Sequence, residues 1–306
     1  MSYLLILAGF AGLLLGGEML VRGAVAVAER LRISPIVIGV TLVGFGTSTP
    51  ELLTSVQAAL AGAPGIALGN VVGSNIVNIL LILGAAAAIR PIAVGGAAFR
   101  RDGAVLALAT VLCLAVVLMG ELGRAAGLVF LAGLVAYVIF AIRTGAAVEP
   151  EPDAAPLGMG VASVLFVAGL AITIVGARAL VFGAVDLATA FGVSEAVVGL
   201  TVVAVGTSLP ELVTSLVAAR KGQSDLAFGN IVGSNIFNVL GILGVTALVQ
   251  PLAVPPEIAA FDIWVMVAAT VALVWAAVSG WRITRGEGTA FVLAYVAYLG
   301  WLVAAA

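Results

Sequence analysis

The sequence predicts an all-α polytopic membrane protein, with ten transmembrane helices arranged as two inverted five-helix repeats. Three observations predict it. Nonpolar residues make up 63% of the 306 positions and charged residues only 9%, whereas a soluble domain carries about a quarter charged residues. Mean hydropathy is correspondingly high, at +1.28. Ten apolar stretches come close to the length of about 20 residues that crosses a bilayer. A polar block also occurs twice, at a constant offset, deep inside these apolar stretches.

The stretches cover about 2–27, 34–61, 65–89, 102–120, 124–143, 157–187, 194–219, 225–249, 261–280 and 288–305. The first could pass for a secretory leader. It has no basic residue before its apolar run and contains Glu18 and Arg22, so it is read as part of the fold. The clear hydrophilic linker is 146–156, with Glu149, Glu151 and Asp153 among three prolines. It divides a first five-helix repeat, 1–145, from a second, 157–306.

Composition also excludes several function classes. Thirteen basic and fifteen acidic residues leave a net charge of −2, so no nucleic-acid partner is implied. The chain has no His, and Cys113 is its one cysteine. Disulfide frameworks, zinc sites, His-based triads and haem ligation fall with those counts. The lipid bilayer is the partner that composition requires.

Lys and Arg in the short loops set the orientation. With the N-terminus outside, the inner loops hold Arg30, Arg32, Arg90, Arg100, Arg101, Arg143, Arg220, Lys221, Arg282 and Arg285, while the outer loops hold Arg124. This bias predicts that both termini lie outside.

Residues 39–55, GVTLVGFGTSTPELLTS, match 199–215, GLTVVAVGTSLPELVTS, at eleven of seventeen positions. Residues 67–84, ALGNVVGSNIVNILLILG, match 227–244, AFGNIVGSNIFNVLGILG, at thirteen of eighteen. The offset is 160 in both, with weaker matches at Gly16/Gly176 and Leu20/Leu180. Five predicted helices separate the copies, and an odd number reverses direction across the membrane. Inverted repeats with broken helices at matching places are a signature of secondary transporters, whose site lies at the repeat interface near the midplane. Duplication kept for packing alone would preserve apolar pattern and small residues. Here Thr, Ser, Pro, Glu and Asn are doubled as well.

Glu51 and Glu211 sit within apolar stretches, where a carboxylate costs at least a few kcal/mol and marks a functional candidate. Each follows a proline, Pro50 or Pro210, which removes a backbone donor and disfavours helix before it. A break there is expected to free carbonyls near Gly44, Thr47, Ala204 and Thr207. Hydroxyls come from Thr47, Ser48, Thr207 and Ser208. The second block adds Ser74 and Asn78, four apart and on one helical face, and likewise Ser234 and Asn238. Carboxylates, amides, hydroxyls and carbonyls form an all-oxygen set suited to Ca²⁺ or Na⁺.

Other residues have blander readings. Asn75 and Asn235 fall off the Ser/Asn face and are equally well read as bonds between helices. Gly69, Gly73, Gly229 and Gly233 suit close helix packing. GTS lacks the Lys of a phosphate loop. Glu18 with Arg22, and Arg178 with Asp186, read as structural ion-pairing residues. Asp225 and the charges flanking helix ends read as solvated.

At GTSTPE and GTSLPE, followed by GSNIVN and GSNIFN, the chain resembles the sodium/calcium exchanger family of cation/calcium antiporters, of the compact prokaryotic type. The resemblance covers the whole chain. It implies a ten-helix fold with a four-helix core, here the second, third, seventh and eighth spans, and two long gating helices, here the first and sixth. It implies that Glu51 and Glu211 bind Ca²⁺ with the carbonyls of Thr47 and Thr207. Gly44, Ser48, Ser74, Ala204, Ser208 and Ser234 would help form Na⁺ sites, and Asn78 and Asn238 would flank the centre. Many exchangers carry Asp at the place of Asn238, which leaves ion stoichiometry and K⁺ dependence open here.

The resemblance implies a monomeric antiporter of the cell (inner) membrane that exports Ca²⁺ against Na⁺, needs no cofactor and is not an enzyme. Two alternatives remain. The same fold could exchange H⁺ for Ca²⁺, since a buried carboxylate can carry a proton. An intramembrane enzyme is the other, although His and a Gly-x-Gly-Asp signature are lacking.

Overall fold

The computed structural model describes residues 1–144, 157–191 and 204–305. The expected linker 146–156 and the first part of the expected span 194–219 lie outside these described residues.

In chain order, α1 is Ser2–Leu31, α2 is Pro35–Thr47, α3 is Thr49–Leu60, α4 is Pro64–Ile89, α5 is Gly96–Met119 and α6 is Arg124–Thr144. There follow α7 at Met159–Ala190, α8 at Ala204–Thr207, α9 at Leu209–Arg220, α10 at Ser224–Val249, α11 at Ile258–Gly280 and α12 at Arg285–Ala305. Among the described residues, seven of these helices are long and apolar enough to cross a membrane, or eight with α2 and α3 taken as one bent span. The chain is thus an all-helical, multi-pass membrane protein.

Burial separates the helices into two groups. The apolar windows of α4 and α10 are 72% and 83% buried, against 22–44% for the other five spans. The outer helices leave large side chains uncovered, among them Leu108, Val135, Val271, Trp275 and Leu293. Lipid tails cover such side chains without the penalty that water would impose.

Two short strand pairs tie the halves together. β1, Ile92–Ala93, pairs antiparallel with β4, Arg282–Ile283, so that Ile92 faces Ile283. β2, Glu121–Leu122, pairs with β3, Leu252–Ala253, so that Leu122 faces Leu252. The loops α4–α5 and α11–α12 therefore share one face of the molecule, and the loops α5–α6 and α10–α11 also meet. Between them Thr110 and Thr270, 160 apart in sequence, lie 3.3 Å apart through their hydroxyls.

Helices α1 and α7 run antiparallel along a seam of glycines at seven-residue spacing. A Cβ at Gly9, Gly16 or Gly23 would lie 2.5 Å from Leu180 N, 2.5 Å from Thr173 Oγ1 or 2.4 Å from Phe166 N. Their repeat mates Gly169, Gly176 and Gly183 would meet Leu20 N at 2.3 Å, Leu13 N at 2.8 Å and Ser2 O at 2.7 Å. Backbones this close leave no room for a methyl group, which is how small residues join membrane helices.

Several charged residues differ from the sequence expectation. Glu18 pairs with Lys221 across helices rather than with Arg22 one turn away. Asp186 accepts a hydrogen bond from the Ser2 hydroxyl, not an ion pair from Arg178. Asp102, expected to be solvated, is fully buried. It accepts from Tyr137 Oη at 3.1 Å and from Arg101 Nε and Nη2 at 2.6 and 2.9 Å. Its repeat mate Asp262 accepts from Tyr298 Oη at 2.8 Å. These Asp–Tyr pairs pin α5 to α6 and α11 to α12, because a buried carboxylate must find donors.

Candidate cation site

The doubled motifs meet where α2 breaks into α3 and α8 into α9. Pro50 has no N–H for the Gly46 carbonyl, and Pro210 has none for Gly206. The chain leaves helical geometry one residue earlier than the sequence suggests, at Ser48 (φ −83°, ψ 8°) and Ser208 (φ −90°, ψ 9°). At the first break the axis bends by 45°. Helix resumes at once, which places Glu51 in the first turn of α3 and Glu211 in the first turn of α9. There the partial positive charge of the helix N-terminus favours a carboxylate.

The two glutamates are joined by crossed hydrogen bonds. Ser48 Oγ donates to Glu211 Oε1 at 2.7 Å, and Ser208 Oγ donates to Glu51 Oε1 at 3.0 Å. Each half thus supplies the hydroxyl that holds the other half's carboxylate. Glu51, Glu211 and Ser208 are each 1% exposed, and Ser48 and Thr47 not at all. Ser234 Oγ donates to the Gly44 carbonyl at 3.2 Å, as does Ser48 N at the same distance. The Gly44 carbonyl, expected to be free, is therefore already engaged.

Asn78 and Asn238 lie in wide π-helical turns, Val77–Leu83 and Phe237–Leu243. Single-turn π-bulges within helices recur at functional sites. Ser74 precedes Asn78 by one helical turn and is buried with it. Thr207 lies at the edge of a cavity described below. Ala204 opens α8. Asn75 and Asn235 turn back onto their own helices, donating at 2.8 Å to the carbonyls of Val71 and Ile231. For these two amides the bond between helices is not what forms. Of the four motif glycines, Gly229 and Gly233 are packed against Ile36 and Val40, but Gly73 has nothing within 4 Å of an added Cβ.

Sequence reasoning missed an outer layer. Asn70 Nδ2 donates to Ser55 Oγ at 2.9 Å and to the Glu51 carbonyl at 3.1 Å. Asn230 Nδ2 does the same toward Ser215 Oγ at 2.9 Å and the Glu211 carbonyl at 3.4 Å. Thr47 Oγ1 also donates to Asn230 Oδ1 at 3.3 Å. Both amides stood in the doubled block beside GSN, so the signal was present. These bonds fix the first turns that carry the glutamates.

Several buried polar atoms lack a hydrogen-bond partner: Glu51 Oε2, Glu211 Oε2, Asn78 Oδ1, Asn235 Oδ1 and both side-chain polar atoms of Asn238. Buried oxygens without donors are costly unless something positive meets them. Among the described residues no group of three or more His, Cys, Asp or Glu side chains could hold a metal. The available chemistry is therefore two carboxylates among neutral oxygens, a hard-ligand set that suits Ca²⁺ or Na⁺ and offers a soft metal nothing.

On one side of the site, reaching Thr207 but not the buried carboxylates, lies a cavity of about 400 Å³. Pro50, Leu53 and Thr54 of α3 line it, facing Ala177, Arg178 and Val181 of α7, with Gly206 and Thr207 of α8 beneath.

The family model described as sodium/calcium exchanger protein matches residues 1–143 and 161–304. The sodium/calcium exchanger MaX1 of Methanosarcina acetivorans is 34% identical over 97% of each chain. The inner membrane protein YrbG of Escherichia coli is 35% identical over 97% of this chain and 96% of its own. Among solved structures, the sodium-calcium exchanger NCX_Mj soaked with Na⁺ and Sr²⁺ superposes with a TM-score of 0.87 at 33% identity, covering 98% of this chain and 97% of that one.

Proposed function

Because the chain belongs to the sodium/calcium exchanger family, we propose that it is a secondary antiporter that exchanges Na⁺ for Ca²⁺ by alternating access around the paired glutamates. The observation that carries this reading is the pair of crossed Ser–Glu hydrogen bonds, which leaves one buried oxygen of each carboxylate unpartnered. Ca²⁺ then binds between Glu51 and Glu211 with the carbonyls of Thr47 and Thr207. Ser48, Ser208, Ser74, Ser234, Gly44 and Ala204 contribute to flanking Na⁺ sites. Asn78 and Asn238 offer amide oxygens at the centre.

Two carboxylates balance one Ca²⁺, and three Na⁺ in their place leave one positive charge. Such an exchange is electrogenic, worth about 2.3 kcal/mol per 100 mV. Each tenfold Na⁺ gradient adds roughly 1.4 kcal/mol per ion, so an inward Na⁺ gradient drives Ca²⁺ export. Helices α1 and α7, joined along their glycine seam, form the moving pair, and α2–α4 with α8–α10 form the fixed core.

The two strand pairs support a ten-helix inverted repeat, and the Lys and Arg bias of the loops puts both termini outside. The strand pairs join loops that this topology puts on a common face: α4–α5 with α11–α12 inside, and α5–α6 with α10–α11 outside. The repeats divide at 146–156. The protein works in the inner membrane, as a monomer, and performs no covalent chemistry.

Purified protein in vesicles tests the reading. Uptake of radioactive Ca²⁺ should follow an imposed Na⁺ gradient and vanish without Na⁺. Uptake driven by a pH gradient in Na⁺-free vesicles would replace Na⁺ with H⁺ as the coupling ion. No Ca²⁺ uptake under either gradient would sink the assignment.

A further inference from the structure

The two routes to the site are unlike, and the repeat lets them be compared residue by residue. On the side of the 61–63 loop, Leu53 and Ala177 line the open cavity. Their mates, 160 positions away, are Val213 and Gly17, and these are closed together. A Cβ at Gly17 would lie 2.6 Å from Val213 Cγ1. Thr207 borders the cavity, while its mate Thr47 is fully buried. The first route is thus open as far as Thr207, while the other is packed shut.

The mates also differ in charge. Position 178 in the open route is Arg, and its mate at the closed route is Glu18, held by Lys221. No ion pair joins Arg178 to a described carboxylate. Asp186, two turns further along α7, is engaged with Ser2. Arg178 shares the cavity with Pro50 and Thr207, the neighbours in sequence of Glu51 and Ser208. A cation entering from this side must pass a positive charge that no described carboxylate offsets.

The geometry points to Arg178 as a specificity-determining residue that lowers the apparent affinity of the open side for Ca²⁺ more than for Na⁺. This rests on the exchange reading above. Repulsion scales with the charge of the entering ion. At a separation of about 10 Å in water, one unit charge changes monovalent occupancy about twofold and divalent occupancy about fourfold. The closed route carries no such barrier, since Glu18 stands at the equivalent place. Ca²⁺ therefore binds more readily from the side of Lys221 and leaves more readily past Arg178.

The test uses the full-length chain in vesicles whose open side faces the bath. They are selected by capturing an impermeant label on Ala61→Cys, because the native Cys113 is fully buried and stays unlabelled. With Arg178→Gln, half-saturating bath Ca²⁺ should fall about fourfold and half-saturating Na⁺ about twofold, with maximal flux retained. Arg178→Lys should match wild type, and added choline chloride should shrink the difference. Unchanged half-saturation values, equal shifts for both ions, or a loss of maximal flux that Lys does not restore would overturn the proposal. A wild type without Na⁺-coupled Ca²⁺ flux would instead overturn the exchange reading itself.

Discussion

Replacing one glutamate by its amide tests the centre of the mechanism. In Glu51→Gln the size is kept and Ser208 Oγ, now 3.0 Å from Oε1, can still donate to the amide oxygen. The loss is one negative charge at a buried position whose second oxygen has no protein partner. At an effective dielectric of about 20, a unit charge pair 4 Å apart is worth about 4 kcal/mol, and a divalent ion doubles that to about 8. Even a quarter of this, about 2 kcal/mol, weakens Ca²⁺ binding about thirtyfold, since 1.4 kcal/mol is a factor of ten. For Na⁺ the same loss is halved, so the Ca²⁺ penalty should be the square of the Na⁺ penalty. Glu211→Gln should behave alike, because the crossed bonds make the two sites equivalent. Folding should survive, since the substitution removes a buried charge rather than exposing one. The assay is Ca²⁺ uptake in vesicles together with the Ca²⁺-induced rise in melting temperature in detergent. Saturating ligand at 100 times Kd stabilises by about 2.7 kcal/mol in wild type, and binding about thirtyfold weaker should cut that to about 0.9 kcal/mol in both variants. Near-normal uptake in both would place the site elsewhere. Equal penalties for Ca²⁺ and Na⁺ would refute the electrostatic reasoning.

Three further outcomes follow from other parts of the fold. A cysteine in the 62–64 loop should label from outside, and one at 146–150 only after permeabilisation; the reverse accessibility would invert the orientation. Asn238→Asp and wild type should both transport Ca²⁺ without K⁺. At low pH its protonated Asp resembles Asn and the two proteins should match. As pH rises the Asp ionises, a third negative charge joins Glu51 and Glu211, and the flux profiles should diverge. Matching profiles throughout, or a wild type that stops without K⁺, would remove position 238 from the ion site. Gly16→Ala should destabilise by about 1–3 kcal/mol in thermal melting, because its Cβ would fall 2.6 Å from Thr173 N. Gly73→Ala, with nothing within 4 Å, should leave the melting temperature close to wild type; equal losses in both would undo the argument from close packing.

Much was legible because the bilayer makes the chain report on itself. In hydrocarbon nearly every span must be a helix, so apolar length alone locates α1, α4, α5, α6, α7, α10 and α11. The same medium makes a polar residue expensive, so Glu51, Glu211 and the doubled Ser and Asn residues stand out against a background 63% apolar. The helix breaks were legible from Pro50 and Pro210, since a missing N–H is a property of the residue itself.

What needed tertiary structure is whatever depends on a partner distant in sequence. Glu18 looked like the mate of Arg22, because spacing along one helix is visible and Lys221, 203 positions away, is not. Asp102 looked solvated until Tyr137 of another helix was brought to it. The Gly44 carbonyl looked free until Ser234 arrived from the other half. The glycine seam of α1 and α7 is present as spacing in the sequence, but only the packing of two antiparallel backbones turns it into a contact. The open and closed routes lie furthest beyond the sequence. The repeat makes both halves nearly the same, and a symmetric sequence cannot state which half stands open. That asymmetry arises from how the folded helices lean, with α1 against α9 and a cavity left between α7 and α3.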